Sequence, residues 1–318
     1  MPDPIRRTLD PAGLGILLFL AALFGLNNVL IKLGNAGMQP VMFAALRSAI
    51  AGAAVSGWMV WRGIDFRLDL WRPGLVLGAF FTAEFLLLFV ALDSTSVVRA
   101  SALFYAMPIW LALLGHVLFP GERLTHLRLL GFALGFFGVV LTLAGRPAAY
   151  DANAHLAGDL AALVAGLCWA AVVVTARRSR LSATAPETQM VWQLVPSVVI
   201  LAALAPLFGG PILRDFDVVF VGLLLIQALG VVALGYVLWF HMLARYQATT
   251  VASFSFLTPI LSALLGWLLL SEPVAPSTPV ALLLLVAGLV LINRKPRIAG
   301  QRPERPSSSN AARTGIGT

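Results

Sequence analysis

The sequence predicts an all-α polytopic membrane protein: ten transmembrane helices arranged as two inverted five-helix repeats. Three observations predict it. Ten apolar stretches of spanning length run from Ala12 to Asn293 with almost no soluble segment between them. The arginines fall to one side of these stretches. The second half of the chain repeats the first at an offset near 150 residues. Of 318 residues, 59% are hydrophobic and only 11% charged, with a mean hydropathy of +0.91. Soluble domains carry roughly 25% charged residues, so lipid must be the solvent here. A spanning helix needs ~20 predominantly apolar residues. Inside a bilayer every backbone polar group must be paired within the protein, which selects helices over open sheet.

The spans follow in order. Helix one is Ala12–Leu33, helix two Met38–Trp61, helix three Trp71–Leu92, helix four Val97–Phe119 and helix five Leu127–Gly145. Helix six is Leu156–Ala176, helix seven Glu187–Phe208, helix eight Phe216–Ala244, helix nine Ala248–Leu270 and helix ten Thr278–Asn293. Helix eight is long enough to be tilted or broken, and helix ten is short. The domain plan is therefore a cytoplasmic segment (1–11), a first repeat (12–145), an extracytoplasmic linker (146–155), a second repeat (156–293) and a basic tail (294–318). The tail is rich in Arg, Pro and Ser, a composition that does not fold. Arg6 and Arg7 precede a first run of spanning length without a small-residue cleavage site, so that run is read as an anchor, not a cleaved signal.

Orientation follows from the basic residues. With the N-terminus inside, seventeen Lys and Arg fall on the cytoplasmic side. Only Lys32, Arg99, Arg146 and Arg214 fall outside, and Arg47 lies within a span. That asymmetry is the positive-inside signature. It places both termini in the cytoplasm and requires an even number of spans.

The repeat is legible around two prolines. VVRASALFYAMPIWLALLGHVLFPGERL surrounds Pro108 and TTVASFSFLTPILSALLGWLLLSEPV surrounds Pro259. Each has a small and aromatic run, a mid-helix Pro, an Ala-Leu-Leu-Gly and a terminal Glu (Glu122 and Glu272). Gly25-Leu26 is matched by Gly166-Leu167, and Gly138 by Gly288. Five spans per half is an odd number, so the halves enter the membrane from opposite sides. Such inverted repeats are typical of secondary transporters, with the site at the repeat interface near mid-membrane.

These strings, with YVLWFHMLARYQATTVASFSFLTPILSALLGWLLLSEP in the second half and FVALDSTSVVRASALFYAMPIWLALLGHVLFPGERL in the first, resemble an EamA-type permease of the drug/metabolite transporter superfamily. The resemblance covers Ala12–Asn293. It implies a carrier that moves small metabolites across the cytoplasmic (inner) membrane, often outward, with amino acids and related compounds as frequent cargo.

Candidate residues are polar groups where lipid would not tolerate them. Glu84 lies mid-helix three, about eight residues or ~12 Å from the outer end. A charge at that depth faces the protein interior or a water-filled cavity. Arg47 reaches a similar depth and Arg99 sits near the outer start of helix four, so all three fall in the outer half of the membrane and Glu84 is expected near Arg47 or Arg99. The set is read either as a cavity charge pair or gate, or as a structural ion pair. Asn27 and Asn28 are ~100° apart on helix one, so at least one faces inward, either to bind substrate or to join helices. Their counterparts are Cys168 and Trp169, with Trp169 a candidate pocket wall. Pro108 and Pro259 each remove a helix hydrogen bond and are candidate hinges, with Ser101, Ser255 and Thr258 able to use the freed carbonyls. Tyr105 and Phe256 stand three residues before each Pro, and the Tyr105 hydroxyl needs a partner when buried. Tyr236, with Trp239, His241, Trp192 and Gln193, is a further cavity candidate. Lys32 is read as snorkelling to the interface. Glu122 and Glu272 are read as caps or loop anchors. Gly52, Ala53, Gly57, Gly131, Gly135 and Gly138 are read as packing positions.

The residues exclude several classes. No nucleophile–base pair and no metal-ligand spacing is evident, His116, His126, His155 and His241 being scattered, so no catalytic centre, metal or cofactor is expected. No phosphate-binding loop appears, so ATP does not drive a cycle. The net charge of +8 is explained by topology and does not point to nucleic acid. The expected partners are a small-molecule substrate, the lipid bilayer and, as a candidate coupling ion carried by Glu84, protons; uniport is the alternative. A membrane-embedded enzyme and a non-transporting scaffold or signalling protein stand as alternatives to a secondary transporter, most simply an exporter.

Overall fold

The computed structural model describes residues 9–118, 126–145, 152–246, 251, 254 and 257–293. The readings of Glu122, Ser255, Phe256, residues 146–151 and the 294–318 tail lie outside the described residues. Within them the chain is helical, with one isolated bridge between Met38 and Leu213 and no strand.

Helix α1 is Pro11–Gly37. Asp10 caps it, its Oδ1 accepting from the Gly13 amide at 2.7 Å, and Pro11 takes the first turn, where its missing N–H costs nothing. Helix α2 is Pro40–Arg62, capped by Gln39 and ended by Gly63 at φ +64, a left-handed stop that suits glycine. A short 3-10 turn at Leu68–Leu70 leads into α3, Trp71–Ser94. The fourth expected span is two helices, α4 (Val97–Phe104) and α5 (Met107–Leu118), and α6 is His126–Ala144.

In the second half α7 is Ala152–Arg178 and α8 is Pro186–Leu204, followed by a 3-10 turn at Ala205–Phe208. The eighth expected span, read as tilted or broken, is one continuous run whose winding changes midway. Helix α9 (Val218–Leu225) passes into a π-helical segment, Ile226–Gly235, and then into α10 (Tyr236–Arg245). Last come α11 (Leu257–Leu270) and α12 (Thr278–Asn293). Among the described residues, seven continuous runs are long and apolar enough to cross a membrane, and the fifth, ninth and tenth expected spans contain shorter apolar helices. The first span continues to Gly37 and the third to Ser94, past the expected ends at Leu33 and Leu92. Their last turns carry Asn35, whose Nδ2 donates to the Phe89 carbonyl at 2.9 Å, and Asp93, which accepts from Arg214 at 2.7 Å.

Burial is inverted relative to a soluble protein. Arg47 and Gln227 are fully buried, whereas Val117 is 78% and Val199 67% exposed. Apolar side chains cover the outside and polar ones point in, the arrangement a lipid solvent imposes.

The halves interleave. Helix α3 lies on α7, and α1 lies on the α9–α10 run. Helix α1 also lies on α11, and α7 on α4 and α5. Helix α3 meets α8, and α2 meets the π-helical segment; α2 lies with α8, α4 with α11 and α6 with α12. Exchanging the two halves turns these contacts into one another; α12 also touches α4 and α5, with no comparable contact between α6 and α11 among the described residues.

The matched glycines sit at matching contacts. A Cβ on Gly25 would come within 2.9 Å of Leu261 on α11, and one on Gly166 within 2.7 Å of the Phe104 carbonyl at the α4 end. Gly138 and Gly288 bring α6 and α12 together from either side. Gly57 differs from its expected packing role: no neighbour comes within 4 Å of the position its Cβ would take. It and Ala53 are exposed on α2; the small residue that meets a partner there is Gly52, against Leu194.

Candidate functional site

The break between α4 and α5 comes from Pro108. Lacking an N–H, Pro108 cannot bond to the Phe104 carbonyl four residues back. The chain turns at Tyr105–Ala106, held by the Tyr105 amide donating to the Ser101 carbonyl and the Ile109 amide donating to that of Ala106, both at 2.9 Å. The turn sets Phe104, Tyr105 and Met107 along one wall of a cavity. Pro259 is the third residue of α11, and Thr258 beside it lines the same cavity.

This cavity has an empty volume of about 800 Å³, part of it continuous with open space. Both halves build it. The first half supplies Phe24, Asn27, Arg47, Glu84 and Tyr105; the second supplies Trp169, Val232, Tyr236, Trp239 and Thr258. Seven of its fifteen lining residues are aromatic and four are polar or charged, the usual make-up of a small-molecule site. Phe24 packs edge-on against Tyr236 and Trp239, with ring centroids 5.8 and 6.1 Å apart. A smaller apolar pocket adjoins it, sharing Phe85, Val232 and Tyr236 and reaching Gln193.

Of the candidate residues, Asn27, Arg47, Glu84, Tyr105, Trp169 and Tyr236 therefore stand around one space. Asn28 and Arg99 do not. Asn28 turns away and donates to Ser101 Oγ at 3.0 Å; Ser101 Oγ in turn lies 2.6 Å from Ser262 Oγ. This buried relay joins α1, α4 and α11. Arg99 was expected as an alternative neighbour of Glu84, and that expectation is corrected. Its guanidinium binds Asp159 on α7 and the Gly145 carbonyl, and both charged side chains are buried. Arg99 stands at the start of α4, beyond the depth at which it could meet Glu84.

Lys32 is corrected as well. It does not merely snorkel: Nζ donates to the carbonyls of Thr95 at 2.6 Å and Leu92 at 3.3 Å, and it lies 3.6 Å from Glu272. Glu272 is a cap, but for another helix. Its carboxylate accepts from the Val97 and Val98 amides at 2.9 and 3.1 Å, at the N-terminus of α4. A carboxylate is favourable there because those amides have no partner within the helix. His241 is exposed and bonded to the Val237 carbonyl, away from the cavity.

Two functional neighbours were missed. Gln227, in the π-helical segment, donates Nε2 to the carbonyl and side-chain oxygens of Asn27 at 2.9 and 3.1 Å and so fixes its orientation. Asp159 holds Arg99. The signal for Asp159 was available: intramembrane charges commonly pair with one another, and Asp159 lies near the start of the sixth apolar stretch. Gln227 carried the same kind of signal as Asn27: it is the one polar side chain in the apolar run 218–235. Among the described residues no group of His, Cys, Asp and Glu could hold a metal ion.

The profile of the EamA-like transporter family matches residues 12–144 and again 156–294. A Bacillus subtilis protein described as "Uncharacterized transporter YvbV" is 26% identical over 88% of this chain and 91% of its own length. An Escherichia coli protein described as "Probable amino-acid metabolite efflux pump" is 27% identical over 86% of this chain and 92% of its own. One solved crystal structure superposes with a TM-score of 0.62 at 22% identity, covering 89% of this chain and 96% of that one.

Proposed function

Since the chain belongs to the EamA-like transporter family and is a multi-pass membrane transporter, we propose that it is a secondary carrier for small metabolites, amino acids or related compounds among them, working outward across the cytoplasmic membrane by alternating access. The observation that carries this reading is the cavity itself. It is aromatic, holds both an acid and a base, and is assembled from both halves of the chain. A site shared between halves changes its access when the halves rock against each other.

The exchangeable contact pattern and the matched glycines support two inverted five-helix repeats. The sidedness of the arginines supports cytoplasmic termini. Pro108 and Pro259 serve as hinges, and the break at Tyr105–Ala106 supports that role for the first of them. Glu84, buried and facing the cavity, is the group that would carry a proton if flux is coupled. The test is counterflow in proteoliposomes: vesicles loaded with unlabelled amino-acid mixtures should accumulate a labelled member, saturably, and Glu84→Gln should abolish that accumulation at normal expression. Absence of saturable flux for any metabolite released by overexpressing cells would refute a carrier and favour a scaffold.

A further inference from the structure

Among the described residues, one cation in the cavity has no hydrogen-bond or ion-pair partner. Arg47 is fully buried on α2, and its Nε, Nη1 and Nη2 have neither a hydrogen-bond partner nor exposure to solvent. Its guanidinium lies 3.9 Å from the centre of the Phe85 ring and 5.0 Å from that of Phe89. Such contacts offset only part of the cost of burying a charge. Glu84 lines the same cavity but forms no ion pair with it. The other cations reaching into the bundle are matched: Lys32 with Glu272, Arg99 with Asp159 and Arg214 with Asp93. A buried guanidinium with five unused donors, set in the wall of a cavity, is costly for the empty protein and is compensated when an anion arrives.

We propose that Arg47 is the anchor for a carboxylate carried by the cargo, whose apolar body lies against Phe24, Trp169 and Trp239. This rests on the carrier reading and names the chemistry it requires. The planar guanidinium fork matches a carboxylate with two parallel hydrogen bonds. A phosphate ester fits poorly: the cavity has a single cation to meet two negative charges, and Glu84 would repel the second. Glu84 also allows the cargo to carry a cationic group, as a zwitterion does.

The experiment uses the full chain in nanodiscs, with four probes sharing one ring: 3-phenylpropanoate, phenylalanine, phenethylamine and phenyl phosphate. Binding is read from tryptophan fluorescence, since Trp169 and Trp239 line the cavity, and from thermal shift. The two carboxylates should bind, and phenethylamine and phenyl phosphate should bind at least about tenfold more weakly, the size of effect expected of one charge-assisted contact. Arg47→Met should lose carboxylate binding by a similar factor while its ligand-free melting temperature holds or rises, because an unpaired buried charge has been removed. Arg47→Lys should bind, but less tightly. A residue with only a structural role would lower the melting temperature and leave the ligand ranking unchanged. Equal binding of phenethylamine, no binding of either carboxylate at millimolar concentration, or unchanged carboxylate binding by Arg47→Met would overturn the proposal. If Arg47→Met does not fold, the ranking of the four probes on the wild-type chain still decides. Carboxylate-ranked binding without counterflow would sink the carrier and keep the anchor; counterflow of carboxylate-free cargo, unaffected at Arg47, would do the reverse.

Discussion

The two ends of the bundle are held together in different ways. At the end where α1 and α3 finish, three ion pairs join the halves: Lys32 with Glu272, Arg99 with Asp159 and Arg214 with Asp93. Arg99 and Asp159 are 7% and 1% exposed. Arg214 adds a bond to the Asn35 carbonyl, and Gln39 bonds the Ala205 carbonyl beside it. At the opposite end the Thr188 hydroxyl donates to the Asp65 carbonyl at 2.9 Å, but the described cross-half ion pairs are looser. Asp10 accepts from the Tyr246 hydroxyl at 2.7 Å, but its pair with Arg245 is 3.7 Å long and that between Arg180 and Asp69 is 3.9 Å, all four side chains being well exposed. On the orientation proposed from the arginines, the tied end would face outward. The difference teaches that a chain with matching halves can favour one side of the membrane through a few charges placed on one end only.

The largest effect should come from cutting the deepest tie. Arg99→Ala strands the Asp159 carboxylate and should cost about 3–5 kcal/mol of stability, measured by unfolding in detergent. Arg245→Ala at the other end should cost at most ~1 kcal/mol, as exposed pairs do; equal losses would erase the contrast. Next comes a contact at neither end. Gly166→Ala drives a methyl into the Phe104 carbonyl and should cost about 1–3 kcal/mol, whereas Gly57→Ala should be neutral. A similar loss at both positions would mean that the seam between α4 and α7 is not tight.

A smaller effect sharpens the functional side of the comparison. Removing Lys32 and Arg214 together breaks two partly exposed pairs worth up to ~1 kcal/mol each, so opening to the outside should become about three- to thirtyfold more frequent. A cysteine replacing Leu88 on the cavity wall, with Cys168→Ser, would report it through alkylation by an impermeant reagent added outside. An unchanged rate would show that these pairs do not hold the outer end shut. The smallest effect is at Asp69, where the Arg67 guanidinium, bonded to it at 2.9 and 3.0 Å, holds the carboxyl below the usual carboxylate range. The folded-state value is the lower one, so its contribution is present above the ordinary carboxylate pKa and fades as pH falls through the lowered value. Both groups are open to solvent, which screens the pair, and Asp69→Asn should leave the melting temperature at neutral pH unchanged.

Much of the fold was legible because lipid imposes one simple rule, that a long apolar run must be a helix. The pairing of Gly25 with Gly166 and of Gly138 with Gly288 also anticipated where helices meet, since close approach restricts a position to the smallest residue. The candidate site was legible where lipid makes polarity conspicuous, as at Asn27, Arg47 and Glu84. It was illegible where the answer depended on a partner far along the chain. Arg99 and Asp159 are separated by 60 positions and lie in different halves, so nothing local distinguished a gate from a tie. Glu272 looked like the end of its own helix, and only the tertiary arrangement brings its carboxylate to α4. The π-helical winding around Gln227 has no compositional mark at all, because its residues are as apolar as those of the regular helices beside it.

That winding has a mechanical consequence. Ile226–Gly235 separates two grips on the same partner helix: Gln227 holds the backbone at Asn27, while Tyr236 and Trp239 press on Phe24. A π turn bonds each residue to the fifth along instead of the fourth, so the segment turns more slowly than its neighbours. Rewound tightly, it would swivel one grip out of register with the other. Shortening this stretch by a single residue should therefore free one of the two clasps while the other stays fastened.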